Sequence, residues 1–310
     1  VTGLLDRRLL FVTGKGGVGK TTIAAGLAAL LASQGRRVLA CEVDAKGDLA
    51  AAFELGTVGF DPVEVPGGPW VMSMDTEASL REYLRLHLHV PVVGRIGPLA
   101  AAFDFVAAAA PGVREILTVG KLCYEVRADR YDAIVVDAVA TGHILGHLAA
   151  PQAINDLVKV GLIRSQTDWM LEILTDPTTT GVVVVATPEE MPVTEAIELV
   201  GAIRDETRVD VASVVVNRTL PELFGVRDEV AFGAIAAARP GALCERRFDG
   251  IFDAARHATA RRRLAAEHVA RLRASVPDAV PIVLQPYLFT RTEGRRATHQ
   301  VATSLAGELA

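Results

Sequence analysis

The sequence predicts an α/β fold, doubly wound, with a mostly parallel sheet of about seven or eight strands and an inserted helical layer. Three observations predict it. The β-type runs are continuously apolar rather than alternating, as in strands buried on both faces. Segments of helical composition separate most of these runs. A glycine-rich loop follows the first run and leads directly into an Ala-rich helix.

Taken in order, residues 9–13 form the first apolar run and end at the glycines. Residues 21–33 carry Ala and Leu at helical density, and Gln34-Gly35 supplies a C-terminal stop. Further β-type runs occupy 37–43, 70–74, 133–136, 182–186, 211–216 and 280–284. Two regions break the alternation. Residues 76–128 hold no convincing strand and read as helices near 76–89, 94–109 and 111–128, while 142–176 is again helical in composition. These two stretches predict helical subdomain insertions at one edge of the sheet, within a single domain spanning residues 1–310.

Composition bounds the function. With 310 residues, half of them hydrophobic and 22% charged, the chain can bury a large core. A net charge of -5 provides no basic field for nucleic-acid phosphates, so no nucleic-acid partner is expected; Arg261-Arg262-Arg263 is at most a local patch. Cys41, Cys123 and Cys244 are too scattered for a CxxC metal pair or a dense disulfide framework. The most membrane-like stretch, 99–113, contains Asp104 and meets Pro111 well short of a bilayer span, so no integral membrane segment is expected. Residues 1–6 lack the charged and apolar regions of a signal peptide, which together with the cysteine usage predicts a cytoplasmic protein.

The chemistry centres on Gly14-Lys15-Gly16-Gly17-Val18-Gly19-Lys20-Thr21-Thr22. Residues 14–21 satisfy G-x-x-x-x-G-K-[ST] in the strand-loop-helix context that a P-loop requires. Glycines let successive backbone N–H groups turn inward towards phosphate oxygens, and the helix N-terminus adds partial positive charge. Lys20 is the candidate partner of the β and γ phosphates, and the Thr21 hydroxyl the candidate Mg²⁺ ligand. The motif therefore predicts a P-loop NTPase that binds ATP with Mg²⁺. Carboxylates at strand ends are the natural companions of such a site. Asp137 follows the apolar run Ala133-Ile134-Val135-Val136 and is the candidate for Mg²⁺ contact, partly through water. Asp44 follows the run Val38-Leu39-Ala40-Cys41-Glu42-Val43 and is the candidate for orienting the attacking water and for the metal, with Glu42 and Asp48 as neighbouring alternatives. Strand-end aspartates also serve as ordinary turn and cap residues.

Lys15, directly after the first glycine, makes the loop resemble that of the deviant Walker A ATPases. Asp137-Ala138-Val139-Ala140-Thr141-Gly142-His143 narrows the resemblance to the arsenite-pump ATPase (ArsA) and tail-anchored-protein targeting ATPase family, whose signature reads DTAPTGHT. Asp44 to Phe53 tracks that family's first switch in its Asp, an Ala, the Leu and the final Ala-Phe. The resemblance implies that Lys15 reaches across a dimer interface to a partner's nucleotide and that Thr141, Gly142 and His143 form a switch. It also implies that Asn217 recognises adenine, with the turn from Pro286 through Tyr287 and Leu288 to Phe289 walling the base pocket; an asparagine here equally suits a plain turn. The implied assembly is a homodimer, or a heterodimer with a paralogous ATPase, coupling nucleotide state to a protein or other client.

The chain departs from that family's pattern in several places. Ala140 stands where the signature has proline, and Gly47 where the first switch has histidine. Without a CxxC pair no shared zinc is expected, and three scattered thiols do not suit arsenite. Four methionines, of which only Met170 falls in the helical stretches, do not support a broad methionine-lined client groove. His143 and His147 share a helix face but lack a zinc-protease glutamate, and His87 and His89 lie on different faces. A MinD- or ParA-like partitioning ATPase shares the deviant loop, but residues 297–310 lack the basic amphipathic face of a membrane-targeting tail.

Overall fold

The computed structural model describes residues 3–88, 112–222, 225–238, 249–289 and 293–309. The predicted helix near 94–109 lies outside them. Eight strands form one sheet: β1 (Leu9–Gly14), β2 (Val38–Glu42), β3 (Val63–Glu64), β4 (Trp70–Ser73), β5 (Ala133–Asp137), β6 (Thr180–Ala186), β7 (Val211–Thr219) and β8 (Ile282–Pro286). Their spatial order is β3-β4-β2-β5-β1-β6-β7-β8, and every pairing is parallel except that of β3 with β4. The predicted runs correspond to seven of these strands. The eighth, β3, is a two-residue exposed edge strand with no apolar pattern to announce it.

Alternate residues of each central strand enter opposite cores, which explains the unbroken apolar runs. Leu9, Phe11, Ile134, Val136, Val182 and Val184 face one layer, and Leu10, Val12, Ala133, Val135, Val183 and Val185 face the other. The second layer is built by α1 (Lys20–Ser33), the short α2 (Asp48–Ala52) and, at the other end of the chain, α10 (Gly294–Leu309). Val301, Ala302 and Leu305 of α10 are buried in it with Ile23, Leu27 and Leu31 of α1. The apolar face of that last helix is thus spent inside the protein.

The first layer contains α4 (Val113–Ala128), α5 (Thr141–Leu157), α6 (Leu162–Thr175), α7 (Glu190–Glu206) and the long α9 (Asp249–Ser275). Before α4 comes α3 (Thr76–Leu88), and α8 (Val226–Ala238) precedes α9. Among the described residues, α3 and α4 lie in the stretch expected to be helical at 76–128, and α5 and α6 in that at 142–176. Val119, Leu122, Ile144, Leu148, Met170 and Leu174 place α4, α5 and α6 in the same core as the sheet. Between α3, α4 and α6 lies a cavity of about 280 Å³, lined mainly by apolar side chains including Leu84, Ile116, Trp169 and Met170. No described helix is long and apolar enough to cross a membrane.

The topology fixes where a ligand can sit. From β1 the chain passes to β2 on one side, and later to β6 on the other, so strand order reverses at β1. The crevice beyond the carboxyl ends of β5, β1 and β6 is the ligand position of an open parallel sheet. The glycine loop occupies its floor.

Candidate nucleotide site

The loop from Gly14 to Gly19 joins the end of β1 to α1 in a conformation that its glycines dictate. Gly14 has φ +151° and pairs with Val185 of β6, where an added Cβ would stand 2.1 Å from the Val185 carbonyl oxygen. Gly19 has φ +94°, and its Cβ would stand 2.3 Å from Asn217 Nδ2. At both positions the backbone conformation and the space call for glycine. Asn217 in turn donates from Nδ2 to the Val18 carbonyl at 2.8 Å, so the end of β7 is fastened to the loop.

Two lysines leave the loop in different directions. Lys20 donates to the Lys15 carbonyl at 3.2 Å, which keeps its ammonium at the mouth of the loop. Burial lowers its pKa; Asp137 opposes that effect, and Lys46 adds to it. Lys15 instead carries its side chain to α7, where its ammonium pairs with the Glu195 carboxylate.

Thr21, in the first turn of α1, donates its hydroxyl hydrogen to Asp137 Oδ2 at 2.7 Å. The strand register places Asp137 beside Val12 and opposite Glu42, at the inner end of the crevice. Its other oxygen, Oδ1, is buried and finds no hydrogen-bond partner among the described residues. Burial pushes the Asp137 carboxyl up to about 6, the Thr21 bond works against that, and nearby Glu42 adds to it. A buried carboxylate with an unsatisfied oxygen, next to a hydroxyl with free lone pairs, fits a hydrated Mg²⁺, which takes few protein ligands. Among the described residues no group of three His, Cys, Asp or Glu could hold a metal ion, which leaves phosphate and water as the remaining ligands of such an ion.

The residues after β2 divide their roles in a way the sequence did not reveal. Glu42 is buried and accepts from the backbone N–H of Gly47 at 2.9 Å and of Asp48 at 3.1 Å. It caps the start of α2, with each carboxylate oxygen accepting one backbone N–H. Asp44 is exposed and pairs with Lys46 at 3.0 Å, a contact that raises the lysine's pKa. Lys46 and Asp44 both lie close enough to Lys20 to influence its charge. Neither Lys46 nor Glu195 belongs to a motif, and sequence reading missed both.

The residues expected to form the switch, Thr141, Gly142 and His143, open α5, with Ala140 as its extended cap. Thr13 anchors the segment before them by donating to the Val139 carbonyl at 2.8 Å. Gly142 and His143 are exposed, whereas His147 is buried, with Nδ1 3.1 Å from the His143 carbonyl; it is a packed residue rather than a surface one. The side chain of His87, and all of His89, lie outside the described residues. Cys41 and Cys123 are buried in the core, and burial pushes both thiols up.

Beyond Asn217 a cavity of about 610 Å³ opens between the ends of β6, β7 and β8 and the α9 helix. Its wall includes Thr187, Pro188, Arg218, Tyr287 and Phe289, with Arg261, Leu264 and His268 from α9. Tyr287 and Phe289 stack at a tilt with ring centroids 4.8 Å apart, and the Tyr287 N–H donates to the Thr219 carbonyl at 2.9 Å. Arg218 holds φ +60°, an uncommon conformation that turns the chain at the cavity's edge. Of the expected base-pocket residues, Tyr287 lines the cavity and Phe289 joins it. Leu288 packs instead against the α1 and α10 core, and Pro286 is exposed at the end of β8.

Comparison with known proteins agrees with this geometry. The sequence profile of the anion-transporting ATPase family matches residues 7–171 and 159–229. The chain is 35% identical over 225 residues to ATPase BagA of Mycobacterium tuberculosis, covering 69% of this chain and 66% of that protein. It is 31% identical over 169 residues to ATPase GET3 of Podospora anserina, covering 53% of this chain and 50% of that one. A Halobacterium salinarum protein named as an arsenical pump-driving ATPase is 29% identical over 242 residues, covering 71% of this chain and 37% of its own length. The chain thus spans less than two thirds of the length of these relatives. The family profile covers the glycine loop, Asp44, Asp137 and the start of α5, and the chain belongs to the anion-transporting ATPase family.

Proposed function

We propose that this chain binds Mg²⁺-ATP, hydrolyses it to ADP and phosphate, and uses the cycle as a dimeric switch that couples nucleotide state to a client. The observation that carries the reading is the Thr21–Asp137 contact beside Lys20, at the point where strand order reverses. In this reading Lys20 and the loop N–H groups hold the β and γ phosphates, and the 610 Å³ cavity takes the base against Tyr287 and Phe289, with Asn217 next in sequence to the lining residue Arg218. Thr21 and Asp137 hold Mg²⁺, which would neutralise charge developing on the phosphates. Asp44 orients the water that attacks the γ phosphorus, and Lys15 stabilises the charge on a partner's nucleotide. The Thr141-Gly142-His143 segment reports the γ phosphate to α5 and so to the apolar cavity of the helical layer, where a client would bind.

The test is turnover by the purified full chain. Mg²⁺-dependent phosphate release, lost in Lys20→Ala and strongly reduced in Lys15→Ala, supports the reading. Turnover that is unchanged in Lys15→Ala overturns the dimeric mechanism.

A second reading, a weakly hydrolysing regulatory subunit of a heterodimer, is favoured by one observation. Asp44, the carboxylate proposed to orient water, is engaged by Lys46, and Glu42 is held at the α2 cap. Tight ATP binding with turnover only in the presence of a paralogous partner supports it. Co-sedimentation with liposomes in the presence of ATP tests the partitioning-ATPase alternative.

A further inference from the structure

We propose that Glu195 is a positioning residue for Lys15, holding the loop's second lysine against its own protomer so that dimer closure must break this pair. The inference rests on the dimeric reading above, in which Lys15 serves a partner's nucleotide.

The Lys15 backbone and side chain point to different tasks. Its carbonyl accepts from Lys20 at the mouth of the loop, while its ammonium runs outward to α7 and pairs with Glu195. Glu195 lies 180 positions away in sequence, on the helix that follows β6, the strand paired with Gly14. That helix is firmly placed: Val193, Ala196, Leu199 and Val200 are buried in the core, and Arg271 of α9 donates to the Glu190 carbonyl and to Thr194 Oγ1. The carboxylate is therefore presented from a rigid element.

The pair sits at an intermediate depth, with side-chain exposure of 37% for Lys15 and 25% for Glu195. An ammonium needs a counter-charge at that depth more than a fully solvated one would. Glu195 and a phosphate are both anionic acceptors, and one ammonium in this direction cannot serve both at full strength. Lys15 then exchanges a carboxylate within its own chain for a phosphate across the interface. In a two-fold dimer this exchange happens twice, so the effect of Glu195 on closure is doubled.

The experiment measures dimerisation of the full chain by analytical ultracentrifugation with Mg²⁺ and ATPγS, for wild type, Glu195→Gln, Glu195→Asp and Lys15→Met. Glu195→Gln is expected to lower the protein concentration of half-dimerisation roughly tenfold. Glu195→Asp stays near wild type, because it keeps the charge. In the Lys15→Met background Glu195→Gln has no effect on dimerisation, a coupling that general damage to α7 would not produce. If wild type does not dimerise with ATPγS, the dimeric reading fails and this assignment falls with it. If wild type dimerises but Glu195→Gln leaves the midpoint unchanged or weakens it, the assignment alone is overturned.

Discussion

The hydroxyl of Thr21 and the carboxylate of Asp137 meet at 2.7 Å, joining the first turn of α1 to the end of β5. This bond satisfies one oxygen of a carboxylate whose other oxygen is buried and has no hydrogen-bond partner among the described residues. If Asp137 holds Mg²⁺ as proposed, its burial suits the bound cation more than the metal-free protein, and function and stability pull in opposite directions there.

The pH dependence follows from that opposition. Burial raises the Asp137 carboxyl to about 6 from an ordinary value of 3.8, so the folded chain holds this proton more tightly than the unfolded one. The stability contribution is fully present below the unfolded value and is lost as pH rises through the folded one. At pH 7.5, without metal or nucleotide, Asp137→Asn is expected to be more stable than wild type by up to roughly 3 kcal/mol. The gap narrows at pH 5, and Mg²⁺-dependent turnover is lost. Urea unfolding at the two pH values in EDTA measures this, and equal destabilisation at both would exclude burial as the cause.

The glycines at the two ends of the loop differ in what an added methyl group would meet. At Gly14 the obstacle is the Val185 carbonyl, a backbone atom of the paired strand that cannot move aside. At Gly19 it is the Asn217 amide, a side chain that can rotate once its bond to Val18 is given up. Gly14→Ala is expected to cost on the order of 3 kcal/mol of folding stability, and Gly19→Ala about 1 kcal/mol with a larger loss of ATP affinity. Thermal unfolding paired with nucleotide titration separates the two effects, and a reversed order of stability would contradict the contact geometry.

The aromatic pair beyond Asn217 allows a test of the base pocket that leaves the phosphate machinery intact. Removing the ring in Phe289→Ala leaves Tyr287 without its stacking neighbour and widens the cavity on one side. The KM for ATP is expected to rise about tenfold with kcat little changed, the signature of lost binding shared by ground and transition states. Leu288→Ala, by contrast, should act on stability, because that side chain packs into the α1 and α10 core. An unchanged KM in Phe289→Ala would move the base elsewhere.

The central strands and the glycine loop were legible because a strand buried on both faces must be apolar at every position, and a P-loop spells out its glycines, lysine and threonine. β3 was not legible: two exposed residues, Val63 and Glu64, carry no period. Nor was α9, a helix of 27 residues rich in Ala and Arg, which buries few side chains such as Phe252 and Leu272 and so lacks a wide apolar stripe. Within the site, position in a motif revealed Asp137 and Lys20. It could not reveal which carboxylate each lysine meets. Glu195 reaches Lys15 only through the packing of α7, and Glu42 turned out to be a helix cap because the chain after β2 folds back over it.

Lys46 offers the discriminating test between the two functional readings. It pairs with Asp44 at 3.0 Å, and that pairing neutralises the carboxylate proposed to orient water. If the pair holds the chain back as a hydrolase, Lys46→Ala frees Asp44 and raises turnover of the isolated chain severalfold. In an Asp44→Asn background the same change has no effect, since the group it releases is gone. If Lys46→Ala instead lowers turnover as far as Asp44→Asn does, Lys46 contacts phosphate itself and acts as a third cation of the site. If neither variant alters turnover, and a paralogous partner restores it in both, the carboxylate that orients water belongs to the partner, and the regulatory-subunit reading takes precedence. Steady-state phosphate release with and without that partner distinguishes the three outcomes, because turnover rises in Lys46→Ala only in the first and dispenses with the Asp44 charge within this chain only in the third.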